Sequence, residues 1–99
     1  MFKYKIIFTK TGNMRYISHL DLLRLFTRAA RRASLPLFLT QGFSPHPKIS
    51  FKRALKLGVE SFDEEMTIAL NESVDPCDLT NRLQEKMLCG IEIKNTERV

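Results

Sequence analysis

The sequence has little of what cofactor chemistry uses. Its only cysteines, Cys77 and Cys89, stand outside any CxxC pattern. They read as two reduced thiols of a cytoplasmic protein, in preference to a disulfide or a metal pair. Radical chemistry on S-adenosylmethionine needs an iron–sulfur cluster on several nearby thiolates, and this chain cannot supply them. Histidine is as scarce, at His19 and His46 alone. The glycine-rich dinucleotide fingerprint, the P-loop and the zinc signatures are all missing. A self-contained cofactor enzyme is therefore disfavoured, and neither cofactor nor metal is expected. Long apolar runs are lacking as well. None approaches the ~18 residues of a membrane span, and the opening Met1-Phe2-Lys3-Tyr4-Lys5 is too charged for a signal peptide. With 43% hydrophobic and 27% charged residues, the 99 residues fit one folded domain spanning 1–99. Its single modest core should give a stability of a few to roughly 10 kcal/mol.

Negative charge is almost absent from the first half. Residues 1–56 carry twelve Lys and Arg but one acid, Asp21, whereas residues 57–99 carry ten acids and four bases. The net +5 thus hides a strongly basic half followed by an acidic one. Such a half suits a polyanion through phosphate neutralisation, unless the two halves neutralise each other across the fold.

What is there reads as alternating strands and helices. Phe2, Tyr4, Ile6 and Phe8 alternate with Lys3, Lys5, Ile7 and Thr9, which predicts a strand ended by Thr11-Gly12-Asn13. Ser18 suits a helix N-cap, and a helix is predicted from about His19 to Ala33, stopping before Pro36. At 100° per residue, Leu22, Leu23, Leu25, Phe26, Ala29, Ala30 and Ala33 share one side and Arg24, Arg28, Arg31 and Arg32 the other. Leu35 to Thr40 reads as the second strand. Gln41-Gly42-Phe43-Ser44-Pro45-His46-Pro47 cannot continue it, because two prolines remove donors. From Ile49 an extended segment is preferred, with Phe51, Leu55, Leu57 and Val59 on one parity, broken by Arg53, and Lys48, Ser50, Lys52 and Lys56 on the other. The four-residue spacing of the lysines also fits a helix. Met66, Ile68 and Leu70 mark a third strand. Asp75-Pro76 opens a second helix with a Leu79, Leu83, Met87 stripe and Gly90 as its C-terminal cap, before a last strand at Ile91 and Ile93. The order predicts an α+β, ferredoxin-like βαββαβ antiparallel sheet. Two helices should lie on one face, with an extended insert between the second and third core strands.

Function points to binding more than to catalysis. The helix arginines and Arg15 suit phosphate recognition. Ser18 and His19 stand at a helix N-terminus, where free amides attract anions. Phe43 could stack on a base, and His46, Lys48 and Lys52 rim the same long connection. His19 and His46 are also the weak candidates for acid–base cleavage of RNA, if the fold unites them. Each has a plainer alternative: a histidine packed at a helix start, a loop aromatic anchored to the core, a solvated arginine face.

Several blocks form a pattern: Lys10-Thr11-Gly12-Asn13-Met14-Arg15-Tyr16-Ile17-Ser18-His19-Leu20-Asp21, Arg31-Arg32-Ala33, the run from Gln41 to Phe51, and Leu57-Gly58-Val59-Glu60-Ser61. Together they resemble the radical-SAM-linked protein family, a bacterial domain of unknown function. The resemblance implies a partner radical SAM enzyme, fused or encoded nearby, and an RNA- or ribosome-related substrate. Family members are usually longer, which leaves open whether residues 1–99 are the first part of a longer protein. This sequence is also more basic than the family pattern at Lys52-Arg53-Ala54-Leu55-Lys56. The expectation is an accessory module for RNA or another anionic ligand. The alternatives are a docking module that meets only protein, or a small metal-independent RNA-processing enzyme.

Overall fold

The computed structural model describes residues 1–53 and 57–99; Leu55 and Lys56, assigned above to the extended segment, lie outside the described residues. The elements run β1 (Phe2–Lys10), a 3-10 turn (Gly12–Tyr16), α1 (His19–Arg32), β2 (Ile49–Phe51), β3 (Ser61–Leu70), α2 (Pro76–Glu85) and β4 (Ile91–Arg98). The strands form one antiparallel sheet ordered β2-β3-β1-β4, the ferredoxin-like split βαβ arrangement. Among the described residues no helix is long and apolar enough to cross a membrane.

The alternation in β1 sends Tyr4, Ile6 and Phe8 into the core. Opposite them on β3 stand Ile68, Met66 and Glu64, and the helices close the layer with Leu22, Phe26, Ala29, Ala30, Leu79 and Leu83. Phe8, Phe26 and Phe51 meet edge to face, at centroid separations of 4.9 to 6.0 Å, and this ring cluster ties β1, α1 and β2 together. The Tyr4 hydroxyl donates to the Val74 carbonyl and accepts from its amide, both at 2.7 Å, so a core side chain fixes the approach to α2.

Helix α1 begins as its sequence requires: the Ser18 hydroxyl accepts from the Asp21 amide. It ends in a Schellman motif, with Ser34 donating to Arg31 and Leu35 to Ala30. Ser34 holds the left-handed conformation there, at φ 56°. Helix α2 stops at Glu85, short of Gly90, which instead turns the chain into β4 at φ 102°.

The second strand is displaced from where the sequence suggested. Leu35 to Thr40 makes only single bridges, Leu37 to Leu70 and Leu39 to Pro47, and the sheet's edge is Ile49–Phe51. Two features decide this. Leu35 still belongs to the helix terminus, with Pro36 behind it, and Phe51 has the aromatic cluster to join. The segment from Phe38 to Lys48 folds back on itself: Thr40 donates to the His46 carbonyl and Lys48 to the Phe38 carbonyl. This hairpin presents Gln41 to Pro45 as its tip.

Candidate functional site

Helix α1 buries its leucine side and turns its arginines to solvent, and the hairpin comes back alongside that outer flank. Between them lies a cleft of about 450 Å³. From α1 come Leu23, Arg24, Thr27, Arg28 and Arg31; from the other wall come His46, Pro47 and Ile49. The α1 set spaces by three or four residues, the interval that stacks side chains on one flank of a helix.

Charge in the cleft is uncompensated where it matters. Arg24 pairs with Asp21 at 3.5 Å, a mutually exposed contact of little energetic weight. Among the described residues no carboxylate lies within salt-bridge range of Arg28, Arg31 or Arg32. The carboxylates after Leu57 go elsewhere: Glu97 to Lys5, Glu65 to Lys52, Glu64 to Arg53. Buried Glu64 also accepts from Ser61, and it raises the Arg53 pKa above its ordinary value through a 3.0 Å hydrogen bond and its charge. The acidic half therefore neutralises cations along the sheet, while the helix arginines stay open.

His46 is held in one orientation. Its Nδ1 lies 2.9 Å from the Ser44 carbonyl, which can only accept, so Nδ1 carries a proton and donates. Thr40 Oγ1 stands 3.3 Å from the same nitrogen and accepts from the His46 amide. Nε2 is thereby the nitrogen left to accept a proton or, once protonated, to donate to an anion. Pro45 and Pro47 restrain the backbone on either side, and Pro47 is buried.

The other residues singled out in the sequence do not join this cleft. His19, the first residue of α1, packs its ring edge-on against Phe51 at 5.1 Å. It thus extends the aromatic cluster at the helix start, and Ser18 beside it is occupied as the N-cap. Arg15 stacks on Tyr16, 4.5 Å from the ring centroid, and donates to its hydroxyl. Arg32 lies over the next groove, between α1 and the residues after α2, with Leu25, Arg28, Lys86 and Leu88. Lys52 lines a separate depression with Ile7, Arg53, Asp63 and Glu65. Lys48 is exposed on the returning arm of the hairpin, and Phe43 stands fully exposed at its tip.

Leu23, Thr27, Pro47 and Ile49 were missed as cleft residues, and Lys86 as a neighbour of the arginine stripe. Leu23 and Thr27 could have been found from spacing, since they precede Arg31 by eight and four residues. Lys86 had no such signal. Both thiols, Cys77 and Cys89, are free and exposed. Among the described residues no three metal-ligating side chains gather.

Residues 3–99 match the model of a family of uncharacterized proteins conserved in bacteria (DUF2344), and the chain belongs to that family. No curated protein and no solved structure matches it.

Proposed function

We propose that this member of the family is an accessory module that binds an anionic ligand, foremost RNA, beside a radical S-adenosylmethionine enzyme. One observation carries the binding: Arg28 and Arg31, free of carboxylates among the described residues, share a cleft with an imidazole whose Nε2 is available. Arginine binds phosphate through paired N–H donors and keeps its charge at every working pH. The enzyme partner rests on the sequence resemblance, and the radical chemistry would be the partner's, because two cysteines cannot hold its cluster.

Titrating labelled single-stranded RNA at increasing salt tests the binding. Affinity should fall with a log–log slope of about −0.7 per phosphate contacted, and Arg28→Ala or Arg31→Ala should each flatten that slope by about 0.7. No affinity at low salt would remove the proposal.

Phe43 favours a second reading. A phenylalanine fully exposed at the end of a hairpin can insert into an apolar pocket of the partner enzyme. Capture of the enzyme that survives nuclease treatment but fails with Phe43→Ser would establish direct docking. Cleavage by a histidine pair is less well supported, since His46 lines the cleft and His19 belongs to the aromatic cluster. Incubating RNA with the protein and with His46→Ala, and comparing the products, decides that case.

A further inference from the structure

Cations alone would accept any phosphate, but this cleft has a second component. Its lining includes an apolar set less exposed than the arginines: Pro47 is buried, and Leu23 and Ile49 are half-buried, whereas Arg24, Arg28 and Arg31 are exposed. An inorganic anion gains nothing from such a surface. Duplex RNA gains little, because its bases stay stacked inside the helix and its exterior is phosphate and sugar. A nucleotide offers both parts at once, a flat base for the apolar floor and an anionic phosphate for the cationic edge.

Size and rigidity agree with one nucleotide. The volume of about 450 Å³ falls among small-ligand sites, which run from about 300 to 1,000 Å³. One wall is a regular helix, and the other is fixed by two prolines and by the hydrogen bonds that hold His46. Little of the site must be ordered when a ligand arrives.

Resting on the anion-binding reading above, we propose that the cleft holds a single unstacked nucleotide. The base lies on Leu23, Pro47 and Ile49, and the phosphate accepts from Arg28, Arg31 and, in the imidazolium form, the Nε2–H of His46. The same chemistry is offered by a free nucleoside monophosphate and by one splayed unit of a single strand.

Amide NMR titrations with inorganic phosphate and with AMP, run beside anisotropy measurements on single-stranded and duplex RNA, separate the cases. AMP should bind roughly tenfold tighter than phosphate, the scale of a small buried apolar area. The Leu23, Thr27 and Ile49 amides should shift with AMP but hardly with phosphate. Leu23→Ala should weaken AMP several-fold and leave phosphate binding unchanged, whereas Arg28→Ala should weaken both. Tight AMP with weak single-strand binding would assign the free nucleotide, and the reverse order would assign the strand. Equal affinities for AMP and phosphate, or an AMP affinity untouched by Leu23→Ala, would overturn the nucleotide even if RNA still bound through the arginines. Loss of every affinity, RNA included, would take the underlying binding reading with it.

Discussion

At the scale of single residues, two backbone positions show where this sequence follows local rules and where it departs from them. Ser34 stands at the left-handed position of the α1 Schellman motif, a place where glycine avoids the clash of a Cβ. The expected outcome for Ser34→Gly is a gain of roughly 0.5–1 kcal/mol, seen as a higher urea midpoint with an unchanged slope. Gly90 is the opposite case. A Cβ there would lie 2.6 Å from the Thr11 carbonyl oxygen, whose own amide donates back to Gly90. Gly90→Ala should therefore cost more than about 1 kcal/mol in the same measurement. Neither effect was legible in advance. Gly90 had been read as a helix cap, and the contact that makes it necessary joins residues 79 positions apart.

At the scale of elements, β1, both helices, β3 and β4 were legible because each carries its own period of apolar residues. Strand β2 was not. Leu35 to Thr40 and Ile49 to Phe51 alternate equally well, and what selects between them is the tie of Leu35 to the end of α1 together with the meeting of Phe51 with Phe8 and Phe26. The cleft divides in the same way. Helical spacing put the arginines on one flank of α1, but bringing His46 beside them takes the hairpin bonds between Thr40 and His46 and between Phe38 and Lys48. Edge protection is likewise a tertiary matter. β4 closes one side of the sheet, and the Gln84 amide of α2 caps it by donating to Ile91 O and accepting from the Ile93 amide at 2.6 Å. Removing that clasp exposes an edge which α2 otherwise covers. For Gln84→Ala, a loss of about 1–2 kcal/mol is expected, with hydrogen exchange at the Ile93 amide accelerating more than at the central β1 amides.

At the scale of the whole molecule, the ion pairs that join the basic and acidic halves among the described residues lie along the sheet. Glu97, Glu65 and Glu64 take up Lys5, Lys52 and Arg53, and Arg28, Arg31 and Arg32 of α1 remain without such partners among the described residues. That arrangement has a cost in the free protein. Arg24 and Arg28 are four residues apart, as are Arg28 and Arg32, and Arg28 and Arg31 are three apart, so Arg28 sits within reach of three like charges. Each such pair opposes the helix by about 0.2–0.5 kcal/mol, screened by salt. If the stripe exists to meet an anion, Arg28→Gln should raise thermal stability at low ionic strength while weakening RNA or nucleotide binding. The stability gain should disappear in high salt, where screening already relieves the repulsion. Thermal melts of both proteins at low and high salt, paired with binding titrations, measure the two effects together. A stripe of purely structural use would give the other pattern: stability lost with the charge, and binding unaffected.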